Sequence, residues 1–196
     1  MYKLRTSQSV KIGFSQKNTK HNNTMLLFGL IRKYSPLSRI NLAKMTGLSA
    51  TTVSLLVEEL MYNNLVMEIG CGDTSMRGRK PILLQINGEG AYIAVVEIIN
   101  TGVNCYIYNL LCERVAGIKY RIKNGRKKLT DIIIHILKEK NISKEKLVGI
   151  NINYPGIIDK VNKKVVYSTV IPSDNYFGND DIEELKKCFE NAGRSS

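Results

Sequence analysis

The pattern of apolar and polar positions is clearest between Ser38 and Leu60, in the stretch SRINLAKMTGLSATTVSLLVEEL. Its second half has apolar residues at i, i+3, i+4 and i+7, which is the spacing of one buried helix face. The apolar residues are Val53, Leu56, Val57 and Leu60, and the opposite face carries Ala50, Thr51, Thr52, Ser54 and Glu58.

Capping signals divide this stretch into two helices. Ser38 and Ser49 are predicted to cap the two helix N-termini, because a serine hydroxyl accepts hydrogen bonds from backbone amides there. Thr46 and Gly47 are predicted to end the first helix, since glycine enters the left-handed conformation without steric cost. Two short helices joined by a tight turn are typical of a helix-turn-helix, whose second helix lies in the DNA major groove.

The next segment predicts a β-hairpin with a basic tip. Asn63 and Asn64 end the second helix, and strands are predicted at Val66 to Ile69 and Ile82 to Ile86 around the loop CGDTSMRGRK. A slim basic loop of this kind could follow phosphates or enter a narrow minor groove, which indicates a winged helix. A solvated basic turn is the alternative interpretation. The basic residues of the tip are Arg77, Arg79 and Lys80.

Beyond Asn87 the pattern predicts an α/β half-domain built on one sheet. Three strands, a helix, a buried strand ending at Pro155-Gly156, a hairpin and a last helix follow in that order. The predicted strands are 91–98, 104–110, 114–122, 147–154 and 165–170, and the predicted helices are 129–139 and 182–189.

These elements suggest three regions. Residues 1–21 read as a basic flexible arm leading into a helix at Thr24 to Lys33, residues 22–86 as the winged helix-turn-helix, and residues 87–196 as the second domain. The chain contains no uninterrupted run of about 18 apolar residues, so no transmembrane helix is predicted. Its first residues also lack the apolar segment of a secretory signal. A cytoplasmic protein that does not contact membranes is therefore expected.

Charge favours a nucleic-acid partner for the first part of the chain. The formal net charge is +12, and residues 1–86 hold 12 Lys and Arg against 4 Asp and Glu, a net charge of +8. Neutralisation of phosphates by such groups provides salt-dependent affinity for any DNA sequence. Lysine-rich composition alone does not distinguish a DNA-binding protein from other soluble proteins.

Cysteine and histidine usage predicts neither a metal nor a cofactor. The cysteines Cys71, Cys105, Cys112 and Cys188 are far apart, and only His21 and His135 accompany them, so no usual zinc spacing is present. Reduced thiols are expected. His135 falls in the apolar run DIIIHILKE, where a structural helix histidine is the simplest interpretation. No Ser/His/Asp or Cys/His arrangement indicates nucleophilic catalysis, so we expect no enzyme activity.

Four segments resemble the ROK family of repressors and sugar kinases. They are the helix pair already quoted, RGRKPILLQIN, AYIAVVEIINTGVNCYIYNLL and LVGININYPGIID. The resemblance around them extends over roughly residues 22–170. The resemblance implies an α+β protein in which a winged helix-turn-helix precedes an actin-like (ribonuclease H-like) α/β domain of the sugar-kinase type. In relatives that domain senses a sugar, so the resemblance also implies a sugar effector.

The same resemblance predicts that the second domain is incomplete. The family's sugar kinases have an Asp and a glycine pair that let backbone amides approach ATP phosphates, whereas Glu97 is followed here by Ile98, Ile99 and Asn100. The family's sugar-contacting Asn-Asp motif and its zinc cluster would lie past Ser196. A truncated gene, a frameshift or a deliberate cut would each explain this. An incomplete sheet is expected to expose an edge and an apolar face, which predicts low stability and self-association. Because most of the domain that would hold two copies together is missing, at most a weak homodimer is expected.

We therefore predict a sequence-specific transcription regulator that binds operator DNA, in the manner of a repressor of carbohydrate-related genes. The alternatives are a sugar-binding or kinase-like protein and a non-functional gene remnant. Hydroxyls on the second helix could pair with base edges, and Leu55 could touch a thymine methyl. Ser38, Arg39 and Ser49 could hold phosphates through hydroxyl, guanidinium and helix N-terminal amides. The candidate DNA-binding residues are Ser38, Arg39, Ser49, Thr51, Thr52, Ser54, Leu55, Arg77, Arg79 and Lys80.

Overall fold

A computed structural model describes residues 16–71, 80–121, 128–159, 164–168 and 179–189. They divide into two compact units. The first falls within Met1–Tyr62 and Glu68–Gln85, and the second within Asn63–Met67 and Ile86–Ser196. Helices and mixed sheets make the chain an α+β protein, as the sequence predicts.

Three helices build most of the first unit: α1 (Gln16–Tyr34), α2 (Arg39–Thr46) and α3 (Ala50–Tyr62). The predicted start of the first helix at Thr24 is wrong, because α1 begins eight residues earlier within the stretch predicted to be a flexible arm. Its early turns are held by side chains that no apolar pattern reveals. Lys20 Nζ lies 2.9 Å from Glu59 Oε2 of α3, and Leu27 and Ile31 are fully buried.

The predicted caps at both ends of α2 and at the start of α3 are confirmed. Ser38 Oγ accepts a hydrogen bond from the backbone N–H of Asn41 at 3.2 Å, and Asn41 Oδ1 accepts one from the Ser38 N–H, which completes a capping box. Gly47 has a φ of 71° and donates its N–H to Ala43 O. Ser49 Oγ accepts from the N–H of Thr52 at 3.1 Å. The two helices meet at 120°, the angle typical of a helix-turn-helix.

A small sheet accompanies these helices. It contains β1 (Leu37–Ser38), β2 (Val66–Cys71) and β3 (Ile82–Ile86) in the order β1-β3-β2, and β1 is antiparallel to β3. The predicted strand at Ile82 to Ile86 is confirmed with the same bounds, and β2 extends two residues past Ile69. The two-residue strand β1 was not expected from sequence, since it is too short to show alternation.

The second unit contains a four-stranded sheet, one helix with the predicted bounds and several smaller elements. The strand order is β6-β5-β4-β7, with β7 parallel to β4 and the remaining pairs antiparallel. Its elements are β4 (Tyr92–Ile99), β5 (Gly102–Asn109), β6 (Arg114–Arg121), α4 (Leu129–Glu139), β7 (Leu147–Asn153), β8 (Ile157–Asp159), β9 (Lys164–Tyr167) and α5 (Asn179–Phe189).

The core of this unit lies between one face of the sheet and α4. Val96 and Ile107 of the sheet and Ile133 of the helix are buried in one cluster, which Leu185 of α5 joins. Gly102 is required by a close approach, because a Cβ at this position would lie 1.9 Å from Tyr120 O of β6. Asn100 and Thr101 form the turn that joins β4 to β5.

Among the residues that the structure describes, no single helix is both long and apolar enough to span a membrane, although the bent pair α2 and α3 passes that test together. The four cysteines are free thiols; Cys105 is buried, and Cys71 and Cys112 are exposed. His135 lies on the exposed side of α4.

Candidate nucleic-acid interface

Helix α3 separates a buried apolar face from an exposed polar one. Val53 and Val57 are fully buried, and Leu56 and Leu60 are nearly so, as the i, i+3, i+4, i+7 spacing predicts. The buried face packs against α1 and α2. At 100° per residue, the direction opposite this face is occupied by Thr51, Leu55, Glu58 and Tyr62, which are all exposed. We call these four residues the α3 stripe.

Four of the candidate residues lie on or beside the α3 stripe. Leu55 is 62% exposed, so its side chain is accessible to a partner. Thr51 is exposed beside it, whereas Thr52 and Ser54 flank the stripe on opposite sides and are half-buried. The structure thus places hydroxyls and one apolar side chain on a single outward surface.

Two candidate hydroxyls, those of Ser49 and Thr52, are hydrogen-bonded to each other. Ser49 Oγ and Thr52 Oγ1 lie 2.8 Å apart, and Ser49 Oγ also caps α3. Ser49 is exposed, so its oxygen remains accessible from outside. A base or phosphate contact from Thr52 would have to replace or share this hydrogen bond.

Ser38 and Arg39 occupy the start of α2, and both already have partners. The Ser38 side chain is buried in the capping box with Asn41, so it contributes to the helix N-terminus rather than to the surface. Arg39 Nη1 donates to Glu68 Oε1 of β2 at 2.8 Å, and its Nη2 donates to Met61 Sδ of α3 at 3.5 Å. The Arg39 side chain is 25% exposed.

Lys80 is the basic hairpin residue that the structure describes, and it is exposed just before β3. Arg77 and Arg79 lie outside the described residues. The predicted role of this hairpin tip in contacting DNA stays a prediction.

Helix N-termini in the first unit suit an anionic partner. The first turns of α1, α2 and α3 contain no acidic residue. The unsatisfied amides at a helix N-terminus carry a partial positive charge, which acidic side chains in the first turn would offset. Each of these helix N-termini therefore keeps its partial positive charge.

Two exposed residues of the α3 stripe were not among the candidates chosen from sequence. Tyr62 is 80% exposed, and Glu58 lies between it and Leu55 on the same face. A carboxylate can accept from the cytosine amino group, and an aromatic side chain can pack against sugar or methyl groups. Their spacing of three and seven residues from Leu55 was the signal that could have identified them.

The second unit pairs its polar side chains internally. Asn104 Nδ2 donates to Glu97 Oε2 at 2.9 Å between β5 and β4. Lys128 Nζ and Thr130 Oγ1 both donate to Glu184 Oε1 of α5 at 3.1 Å. No group of three or more His, Cys, Asp or Glu side chains suited to a metal occurs within the described part of the chain.

Comparisons with known proteins identify relatives along most of the chain. No family model matches it. It is 36% identical over 170 residues to the xylose repressor of Bacillus spizizenii, covering 82% of this chain and 42% of the repressor. It is 31% identical over 156 residues to the xylose repressor of Caldicellulosiruptor bescii, covering 75% and 38% of the two chains. With the DNA-binding transcriptional repressor Mlc of Escherichia coli the identity is 27% over 150 residues, covering 73% and 36%.

The fold agrees with these relatives. A crystal structure of a ROK family transcriptional regulator, a homologue of the E. coli Mlc protein, superimposes with a TM-score of 0.64 at 21% identity, covering 88% of this chain and 44% of that one. The chain is thus an α+β protein related to transcriptional repressors. Its homologues are repressors of the ROK family, and it spans about two fifths of the length of the curated relatives it matches.

Proposed function

We propose that this chain is a sequence-specific DNA-binding transcription regulator whose residues 22–86 form a winged helix-turn-helix. The observation that carries the proposal is the division of α3 into a buried face and the exposed α3 stripe, beside helix N-termini free of acidic side chains. A helix that is anchored on one side and exposes hydroxyl, carboxylate and apolar groups on the other can present them to base edges in the major groove, which is about 12 Å wide.

Every candidate residue except Arg39 has a DNA-contacting role in this proposal. Thr51, Thr52 and Ser54 pair with base edges through their hydroxyls, and Leu55 contacts a thymine methyl. Ser38 and Ser49 act through the helix N-termini that they cap, whose amides face phosphates. The basic side chains of the hairpin provide phosphate or minor-groove contacts and most of the salt dependence. They are Arg77, Arg79 and Lys80.

For residues 87–196 we propose part of an actin-like domain of the sugar-kinase type that responds to a sugar. The relatives are named for xylose and N-acetylglucosamine, which supports a repressor of carbohydrate-related genes with a sugar effector. The proposal includes no phosphoryl transfer, because Ile99 and Asn100 stand where the family's kinases have glycines. It includes a weak homodimer in the cytoplasm.

The test begins with selection from randomised DNA duplexes by the full chain. We expect enrichment of a defined sequence, which fluorescence anisotropy should show to bind more tightly than a scrambled duplex by about 10³-fold or more, with affinity falling as salt rises. Enrichment of no sequence, together with equal binding to all duplexes, would contradict the proposal.

A pair of matched variants locates the reading surface. Thr51→Val removes a hydroxyl from the α3 stripe while keeping the side-chain shape, and Thr101→Val makes the same change at an exposed turn of the second unit. We expect Thr51→Val to change which sequences are enriched and Thr101→Val to leave them unchanged. The reverse result would place the interface elsewhere.

A further inference from the structure

The guanidinium of Arg39 joins three elements of the first unit. Its backbone forms the first residue of α2, and its side chain donates to Glu68 on β2 and to Met61 near the end of α3. These partners are 29 and 22 positions away along the chain. The planar guanidinium has several donors in a fixed geometry, so it can hold two partners in a defined arrangement, whereas the donors of a lysine ammonium rotate freely.

Through Arg39 this ion pair links β2 to the side of α3 that carries Met61. On the helical wheel, Met61 lies next to Ser54, on one flank of the stripe. The side chains of Arg39 and Glu68 are 25% and 36% exposed, so the pair is partly shielded from solvent. On the other flank, Glu59 pairs with Lys20 of α1 at 2.9 Å, with 40% and 61% of those side chains exposed.

We propose that Arg39 and Glu68 are positioning residues, which hold the β2–β3 hairpin at a fixed place beside α3 so that both can engage one DNA sequence together. The proposal rests on the function proposed above, and it assigns Arg39 to the hairpin instead of to a phosphate. A guanidinium whose charge is balanced by a carboxylate 2.8 Å away adds little net charge for phosphate neutralisation.

Loss of the pair should therefore reduce discrimination more than general attraction. Without it, α3 and the hairpin can still meet DNA separately through their other contacts. They no longer do so in the single arrangement that matches the preferred sequence, and correct geometry is what distinguishes specific from non-specific binding.

The experiment measures the ratio of affinities for the selected duplex and its scrambled version. The full chain is compared with Arg39→Gln, Glu68→Gln and the double variant, at several salt concentrations. Because both singles break the same interaction, we expect each to lower the ratio about tenfold and the double variant to lower it no further. Taking the ratio removes the uniform effect of changing the net charge.

Matched controls come from the other flank of α3. Lys20→Gln and Glu59→Gln make the same charge changes in the same unit without touching the hairpin. We expect both to keep the ratio, and we expect Arg39→Gln to show the same salt slope as Lys20→Gln. Circular dichroism melts verify that each variant is folded. If Arg39→Gln is unfolded, Arg39→Lys takes its place, because lysine keeps the charge but lacks the planar fork.

Distinct results overturn the inference. A salt slope for Arg39→Gln lower than that of Lys20→Gln by about 0.9, with the ratio kept in Glu68→Gln, would show a direct phosphate contact. Tighter binding of Glu68→Gln to both duplexes than Glu59→Gln shows would mean that Glu68 restrains a phosphate-binding Arg39. If the unmodified chain itself binds no duplex, the proposed function fails before this inference is tested.

Discussion

The two units differ in the residues that begin their helices and in the polar groups that they expose. In the first unit, α1, α2 and α3 begin without acidic residues, and α3 presents hydroxyls to the outside. In the second unit, α4 begins with Asp131 in its first turn, and polar pairs such as Glu97 with Asn104 connect neighbouring strands. The first unit therefore keeps exposed hydroxyls on α3 in addition to its internal pairs such as Arg39 with Glu68, whereas the polar pairs of the second unit connect its strands and helices.

This contrast explains where a DNA-binding role is best sought. Of the formal net charge of +12, residues 1–86 contribute +8, although they make up less than half of the chain. A positive surface attracts any polyanion, and an ordered face of mixed hydroxyl and apolar groups is what adds a preference for one sequence. Both features coincide on the first unit.

The largest expected effect comes from truncating one buried side chain in each of the two hydrophobic cores. Leu42→Ala in the first unit and Ile133→Ala in the second each remove a fully buried side chain, which should cost about 2–5 kcal/mol of unfolding free energy. Denaturant titration followed by circular dichroism measures this loss. Only Leu42→Ala should also weaken DNA binding in anisotropy measurements. If Ile133→Ala abolished binding under conditions where helical signal persists, the assignment of DNA binding to the first unit alone would fail.

The next effect compares equal charge changes in the two regions. Substitution of Arg77 and Arg79 by Ala should weaken binding to all duplexes about tenfold or more and reduce the salt slope by about 1.8, because two phosphate contacts are lost. Substitution of the exposed Lys186 and Lys187 of α5 removes the same charge from the second unit and should change the slope far less. Equal slopes for both double variants would mean that total charge, and not the hairpin, governs binding.

Alkaline pH should lower the free energy of unfolding of the second unit. Burial raises the pKa of the Cys105 thiol from its ordinary value near 9 to about 12. Below pH 9 the thiol is neutral in both states and stability is unaffected; as pH rises from 9 towards 12, only the unfolded chain ionises, so stability falls, by about 1.4 kcal/mol at pH 10.

Denaturant titration at pH 8 and pH 10 measures this loss. Cys105→Ala, which has no thiol to ionise, provides the control and should lack this part of the pH dependence. The same pH dependence in both chains would show that other groups titrate.

Local signals predicted the first unit well because its helices carry their own boundaries. Ser38, Gly47 and Ser49 end or begin helices through contacts within four residues, so the sequence contains the whole cause. Helix α4 was predicted with the correct bounds for a related reason: its apolar residues follow one face and bury it against the sheet.

Long-range contacts account for what sequence reasoning missed. The early turns of α1 are polar, and the Lys20 to Glu59 ion pair that supports them joins positions 39 residues apart. The pairing of Arg39 with Glu68 likewise depends on where β2 lies after folding, so the sequence suggested a phosphate contact where the structure shows an occupied guanidinium. Helical periodicity was enough to predict the α3 stripe. Tyr62 was nevertheless not among the candidate residues, because it is the last residue of α3.

The smallest expected effect tests a single contact on the α3 stripe. Leu55→Ala should change unfolding free energy by less than about 0.5 kcal/mol, because the side chain is 62% exposed. If Leu55 touches a thymine methyl, replacing the contacted thymine by deoxyuridine should weaken binding of the unmodified chain about fourfold, the value of one buried methyl group of about 0.8 kcal/mol. Leu55→Ala should make binding indifferent to that replacement, whereas Tyr62→Ala, which truncates another exposed side chain of the same stripe, should leave the sensitivity intact. Anisotropy titrations of the three proteins with thymine-to-deoxyuridine duplexes decide the matter, and a sensitivity that survives Leu55→Ala at every thymine would assign the methyl contact to another residue.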